Sequence, residues 1–381
     1  MNLLIHDLDE TGFNKIAGQY KDWTIISDHG TIRPCVGCFS CWNSNPGQCV
    51  MKDGYENMGY LIHHADEVVV ISRYTYGGFS SFVKNVFDRS LGYVLPHFEI
   101  VNGESHHKKR YDEDKSYNFI FYGKDLSEED KESARRYVTA VATNMRTHVS
   151  NIIFTEAAED INIKTKDTFC DSGKTVLFNA SMRNVKGNSA ILARQLQKQL
   201  NGDVPIIDLS GYLNRMDELM KEFEDVETIV LCTPLYVDGL PSQLIRFMEK
   251  YEREYSGKRK KIYVLANMGL FESQQLVNLM SAVRQWSDKM RFEYNGGLAV
   301  SAGEMIGPLT EAMPFGKWVT KEVAEGMNRL AEAINRSEKI EDIYTDAYRF
   351  PRWLYIAIAN SGWKRMAKAA GIDPKELFRR L

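Results

Sequence analysis

Short apolar runs and helix-period stretches alternate along the first 155 residues of the chain. The runs that we assign to strands are residues 2–6, 23–27, 67–72, 118–122 and 151–155, and the helical stretches are residues 12–19, 57–64, 80–90 and 127–147. The third run, EVVVIS, is a continuous β-branched stretch typical of a strand buried on both faces of a sheet. Alternation of this kind predicts βαβ units and a parallel sheet. The polar segment 96–114 contains His106 and His107, which we interpret as solvated or helix-surface side chains and not as metal ligands.

A polar stretch, residues 156–173, is predicted to be a linker, and the same alternation starts again after it. Strands are predicted at residues 175–178, 204–208, 228–232, 262–266 and 297–300, with helices at residues 189–200, 213–223, 242–251 and 273–289. Residues 67–89 align with residues 227–251 at an offset of about 160 positions, which indicates a duplicated α/β domain with five strands in each copy. We therefore predict one domain at residues 1–156, a second at residues 174–335 and a helical C-terminal extension at residues 336–381.

Composition narrows the class of protein. The 381 residues carry a formal net charge of −3, and this near-neutral balance argues against nucleic acid as a partner. The N-terminal sequence, MNLLIHDLDE, has the features of neither a signal peptide nor a transit peptide, and no apolar run reaches the length of a membrane span. We expect a cytoplasmic protein with no membrane-spanning segment.

The turn after residues 175–178 has the features of an anion site. Its sequence, NASMRNVKGNS, is polar, contains a glycine and leads directly into a helix. The free N–H groups and the dipole of a helix favour a phosphate at such a position. The side chains that we place around it are those of Ser181, Arg183, Asn188 and Ser189. The turn is neither G-x-G-x-x-G nor G-x-x-x-x-G-K-[ST], and an ordinary turn stays open as the alternative.

Four of the six cysteines fall within fifteen residues, Cys35, Cys38, Cys41 and Cys49, with the spacing C-x2-C-x2-C-x7-C. Three thiolates two residues apart can hold one side of an iron–sulfur cubane, and a fourth can arrive from the return of the loop. Structural zinc more often uses two separated C-x-x-C pairs, so zinc is the weaker metal interpretation. A [4Fe–4S] cluster and metal-free cysteines both stay open.

These motifs together resemble a known family. The turn motif S-x-R-x-x-x-x-N-S and the later stretch TPLYVDGLPSQLIRF are similar to the NAD(P)H-dependent FMN reductase branch of the flavodoxin-like proteins. The stretch PCVGCFSCWNSNPGQCVMKDG also occurs in this branch, which includes the iron–sulfur flavoproteins. The resemblance implies an α/β fold of two tandem flavodoxin-like, doubly wound five-stranded parallel sheets with helices on both faces.

The resemblance also implies that three loops of the second copy bind FMN. The turn described above would hold the phosphate, and two further loops would surround the isoalloxazine ring, namely Pro234, Leu235, Tyr236, Val237, Asp238 and Gly239, and then Asn267, Met268 and Gly269. Ligands of open parallel sheets bind beyond the carboxyl ends of the strands, where all three loops are predicted to lie. Ordinary βα loops are the alternative.

The activity that the resemblance implies is an FMN-dependent oxidoreductase. NAD(P)H would deliver hydride to the flavin, and a small acceptor (a quinone, a flavin or similar) or an iron–sulfur centre would take the electrons. A flavodoxin-like electron carrier or redox sensor without turnover is the alternative, and a scaffold that has lost its flavin is a third. Homodimeric relatives also leave a homodimer of this chain open.

The first copy departs from the family pattern at its first turn. Asp7, Asp9 and Glu10 stand where a phosphate would lie, and carboxylates at low dielectric would repel it. We predict that the first copy is degenerate for FMN and that one flavin binds per chain.

Overall fold

The computed structural model describes residues 1–112, 115–156, 172–255, 259–347 and 349–379. It divides the chain into two compact units, one formed by Met1–Asp160 together with Trp353–Leu381 and the other by Ile161–Arg352. Most of the predicted linker, residues 156–173, lies outside the described residues.

The first unit is built on a five-stranded parallel sheet. Its strands and helices are β1 (Leu3–His6), α1 (Glu10–Ile16), β2 (Thr24–Ile26), α2 (Ser40–Asn43), α3 (Met58–His64), β3 (Val68–Arg73), α4 (Ser81–Arg89), β4 (Val94–Val101), β5 (Glu104–Lys109), β6 (Ser116–Tyr122), α5 (Glu128–Asn144) and β7 (His148–Thr155). The sheet order is β2-β1-β3-β6-β7. Strand β3 lies at its centre, and Val68, Val69, Val70 and Ile71 are all buried there, as the continuous apolar run predicted.

The second unit repeats this arrangement and adds one strand. Its elements are β8 (Thr175–Asn179), α6 (Asn188–Gln197), β9 (Ile206–Asp208), α7 (Met216–Glu222), β10 (Thr228–Pro234), α8 (Ser242–Glu254), β11 (Lys261–Asn267), α9 (Val277–Lys289), β12 (Glu293–Val300), α10 (Gly303–Ala312), α11 (Lys321–Arg336) and β13 (Ile343–Thr345). The sheet order is β13-β12-β11-β10-β8-β9. Within each unit, the first five parallel strands follow the 2-1-3-4-5 order of the flavodoxin-like fold.

The prediction of five strands in the second copy was one strand short. Strand β13 pairs with β12 over three residues, from Leu298↔Ile343 to Val300↔Thr345. Asp342, the residue before the strand, is held by the Tyr294 hydroxyl at 2.6 Å and by Arg284 at 2.8 Å. A three-residue strand fixed by side chains from other elements has too little periodicity to be recognised from local sequence.

The polar segment at residues 96–114 contains most of an antiparallel hairpin. Strands β4 and β5 pair, with Phe98 opposite His107, and the register shifts between Val94 and Phe98. That shift surrounds Pro96, whose missing N–H cannot continue a ladder. The interpretation of His106 as a solvated or helix-surface side chain was wrong, since it lies in strand β5 and is only 2% exposed.

The C-terminal helix α12 (Arg352–Ala369) and a following 3-10 turn (Pro374–Phe378) complete the chain. Residues from Trp353 onward belong to the first unit. Trp363 is buried, and its ring centroid lies 5.2 Å from that of Trp42 in an edge-to-face contact, while Asn360 donates to the Phe98 carbonyl at 3.2 Å. Across the described part of the chain, no helix has the length and apolar character needed to span a membrane.

Candidate functional site

Three loops follow the carboxyl ends of neighbouring strands in the second unit. They come after β8, β10 and β11, which pair directly and in parallel, with β10 between the other two. The structure therefore brings together at one sheet edge the three loops that the sequence singled out. Ligand sites of open α/β sheets form at this edge.

The first loop is tightly folded around a buried serine. Ser181 is 2% exposed, and its N–H donates to Asn179 Oδ1 at 3.2 Å. Its Oγ accepts from the Arg183 N–H at 3.3 Å, and a Cβ on Gly187 would lie 2.5 Å from that oxygen. A side chain at position 187 would therefore displace the Ser181 hydroxyl from its place in the loop.

Helix α6 begins directly after this loop, and its N-cap offers no side-chain acceptor. The N-cap is Gly187, and Asn188 and Ser189 follow in the first turn. The N–H groups of a first helical turn have no partner within the helix, and the dipole makes this end positive. The start of α6 therefore has the free donors and the charge that an anion needs.

Arg183 points toward an element that sequence reasoning left unassigned. Its Nη1 lies 3.3 Å from Glu304 Oε1 at the start of α10, with both side chains partly exposed. Helix α10 also packs on α6 so closely that a Cβ on Gly307 would lie 2.5 Å from Asn188 Oδ1. The glycine spacing in the stretch GEMIGPLTEA was the signal of this close packing.

The second loop contains a strained turn. The N–H of Tyr236 donates to the Gly239 carbonyl at 3.0 Å, and the Gly239 N–H donates back at 3.1 Å. Between them Val237 and Asp238 have φ values of 37° and 57°. Positive φ is costly for a β-branched residue, and such strain concentrates at functional sites.

Asn267 joins the three loops. Its Nδ2 donates to Ser189 Oγ at 2.6 Å and lies 3.4 Å from the Thr233 carbonyl, just before Pro234. Its own carbonyl accepts from the Leu235 N–H at 2.8 Å. In the third loop, the Met268 carbonyl accepts from Gly303 at 2.7 Å. Asn179 and Thr233, which the sequence analysis did not include, thus support the predicted residues.

The equivalent turn of the first unit is filled by its own carboxylates. Asp9 caps α1 by accepting from the Gly12 N–H at 2.6 Å. Both carboxylate oxygens of Asp7 lie 3.1 Å from the backbone nitrogen of Arg73. Burial raises the pKa of Asp7, even though Ser80 and the Arg73 N–H donate hydrogen bonds to it. The helix start that is open in the second unit is therefore capped in the first.

All four clustered cysteines line one small cavity of about 20 Å³ in the first unit, together with Asp88 and Arg89. Burial raises the pKa of Cys35 to about 12. The pKa of Cys41 is also raised, mainly by burial and to a smaller extent by the neighbouring thiols. Burial therefore makes both thiols harder to deprotonate than a free cysteine. Within the described residues, no group of three His, Cys, Asp or Glu side chains has an arrangement that could hold a metal ion.

Arg89 organises the cysteine loop. Its Nε donates to Cys49 Sγ at 3.2 Å, and its Nη1 and Nη2 lie 2.8 and 2.9 Å from the two carboxylate oxygens of Asp53. Burial would raise the pKa of Asp53, but the hydrogen bonds from Arg89 and the Arg33 N–H outweigh it and lower the pKa to about 2. Four thiols are the donor type that a soft metal prefers, but among the described residues they are not arranged to hold one, and binding would also require the thiols to lose their protons.

Comparison with known proteins yields structural neighbours alone. No protein-family model and no curated protein matches the chain. An FMN-dependent NADH-azoreductase from Bacillus anthracis in complex with FMN is 16% identical, with 42% of this chain and 99% of that one covered and a TM-score of 0.30. The Trp repressor binding protein from Bacillus subtilis is 20% identical, with 34% of this chain and 84% of that one covered and a TM-score of 0.29. The NAD(P)H:quinone oxidoreductase from Methanothermobacter marburgensis is 15% identical, with 45% of this chain and 98% of that one covered and a TM-score of 0.31. Likeness at this level assigns neither a ligand nor an activity to this chain.

Proposed function

We propose that the chain is an FMN-dependent oxidoreductase that takes hydride from NAD(P)H and passes electrons to a small acceptor. The observation that carries the proposal is the open N-terminus of α6, which Asn267 ties to the two neighbouring loops. The matching turn of the first unit is closed by Asp9, which supports one flavin per chain.

The chain's own residues would bind and orient the cofactor. Ser181, Ser189 and the first N–H groups of α6 would hold the phosphate, while the turn Tyr236–Gly239 would lie against the ring edge. Asn267 would keep the two loops at a fixed separation. When bound, FMN would supply the chemistry of accepting hydride from NAD(P)H and passing on the electrons. The protein therefore needs no acid–base pair for that step.

We further propose that Cys35, Cys38, Cys41 and Cys49 hold a [4Fe–4S] cluster. Support comes from the four thiols around one cavity and from the Arg89 N–H on Cys49 Sγ. The cluster would act as an electron acceptor or carrier. Iron and sulfide analysis of protein purified without oxygen tests this, and purified protein that keeps its flavin but neither contains nor takes up iron would refute the cluster alone.

The flavin proposal is tested by flavin content and by bleaching. Anaerobically purified protein supplied with FMN should bind one flavin per chain, and NADH or NADPH should bleach it. S189A removes the hydroxyl beside the helix start and should weaken FMN binding about 10-fold or more. The control is D9A, which opens α1 in the first unit and should leave one flavin per chain. Unchanged affinity in S189A would refute the site, and flavin that neither nicotinamide bleaches would indicate a carrier.

A further inference from the structure

An ion pair links the first loop of the candidate site to helix α10. Arg183 Nη1 lies 3.3 Å from Glu304 Oε1, and the two side chains are 35% and 50% exposed. Glu304 stands in the first turn of α10. A Cβ on Gly269 would lie 3.6 Å from Glu304 Cγ, so the same side chain also borders the third loop. The pair therefore joins the first and third loops of the candidate site.

The Arg183 side chain starts beside the N-terminus of α6. A Cβ on Gly187, the N-cap of that helix, would lie 3.3 Å from Arg183 Cβ. The Arg183 N–H donates to Ser181 Oγ at 3.3 Å, which fixes the backbone of the loop at this position. A phosphate held by the first N–H groups of α6 would therefore lie within the length of the Arg183 side chain. Charge-assisted hydrogen bonds between arginine and phosphate are about twice as strong as neutral ones.

The face of α10 that carries Glu304 packs against the candidate site. A Cβ on Gly303 would lie 3.1 Å from Asn267 Oδ1, and a Cβ on Gly307 would lie 2.5 Å from Asn188 Oδ1. Residues three apart share a helix face, so Glu304 and Gly307 lie on the same side of α10. Because no side chain separates α10 from Asn188 and Asn267, the Glu304 carboxylate is held close to the start of α6.

We propose that Glu304 competes with the phosphate of the flavin for Arg183 and thereby sets how strongly the site selects FMN over a flavin without a phosphate. The inference rests on the proposed flavin function. Glu304 holds the Nη1 end of the guanidinium and neutralises its charge, so a phosphate gains less from Arg183 than it would without that carboxylate. Both side chains are partly exposed, so solvent limits the effect to a few-fold change in affinity.

Fluorescence titrations with FMN and with riboflavin, which has no phosphate, test the proposal. E304Q should raise the affinity for FMN about 3-fold and change the affinity for riboflavin by less than about 1.5-fold. R183M should weaken FMN binding about 10-fold and also leave riboflavin binding nearly unchanged, since the backbone bond to Ser181 remains. In the double variant R183M/E304Q, the gain from E304Q should fall below about 1.5-fold, because its partner is gone.

The matched control is E311Q, two turns further along the same face of α10. Glu311 pairs with Arg194 of α6 at 3.0 Å, and these side chains are 51% and 36% exposed, almost as in the first pair. About 10 Å of helix separates the two carboxylates, so E311Q should leave both flavin affinities unchanged. A natural protein that binds neither flavin would overturn the proposed function and the inference with it. Equal FMN affinity in E304Q and the natural protein, or the full gain from E304Q in the R183M background, would overturn the inference alone.

Discussion

The pair of Arg89 and Asp53 offers a sharp test of how the cysteine loop is held. The Arg89 side chain is fully buried and that of Asp53 is 6% exposed, with two parallel contacts at 2.8 and 2.9 Å. Removing one partner of such a pair leaves the other charge buried alone, so R89M should lower the free energy of unfolding of this region by about 3–5 kcal/mol. Arg33 provides the control, because it reaches the same carboxylate at 3.8 Å from a side chain that is 56% exposed. R33M should cost about 1 kcal/mol or less.

The same pair predicts a dependence on pH. The folded-state pKa of Asp53 is about 2, below its ordinary value of 3.8, so ionised Asp53 stabilises the fold. The difference corresponds to about 2 kcal/mol. A lowered pKa means that this stabilisation is complete above the unfolded-state value and is lost as the pH falls from about 4 to about 2.

Urea unfolding of the natural protein, R89M, R33M, D53N and the double variant R89M/D53N measures these terms. Hydrogen exchange of residues 33–53 assigns the loss to the loop, since two units need not unfold together. The double-variant cycle should give a coupling energy of about 2 kcal/mol or more. A coupling below about 0.5 kcal/mol, or equal losses in R89M and R33M, would refute the proposed role of the buried pair.

Three further predictions concern the candidate flavin site and its closed counterpart. V237G relieves a φ of 37° and should raise the free energy of unfolding by about 1 kcal/mol, and a lower thermal midpoint would show that the turn is unstrained. D9A removes the cap of α1 and should cost about 1 kcal/mol, seen as a lower thermal midpoint, with no change in flavin content. N267L removes the 2.6 Å bond to Ser189 and should weaken FMN binding about 10-fold or more in a fluorescence titration, and unchanged affinity would separate Asn267 from the site.

Local pattern was sufficient for the first five strands of each parallel sheet. Buried parallel strands must be apolar on both faces, so EVVVIS and its counterpart ETIVLC stood out, and the helices between them followed from their own period. The order of the three loops after β8, β10 and β11 also came from the sequence, because parallel strands place their carboxyl ends at one edge. The acidic residues at the first turn of the first unit were likewise visible in the sequence. In the structure Asp7 and Asp9 occupy that turn and accept hydrogen bonds from the backbone N–H groups of Arg73 and Gly12.

Long-range contacts decided the rest. The hairpin of β4 and β5 contains a proline and buried histidines, and Asn360, which is 262 residues distant from Phe98, binds its backbone. Arg110 binds the carbonyl of Arg379, which is 269 residues distant, and the salt bridge of Arg183 with Glu304 joins positions 121 residues apart. Such pairs leave no periodic trace in the chain, because their free energy is gained only when the intervening residues are already folded.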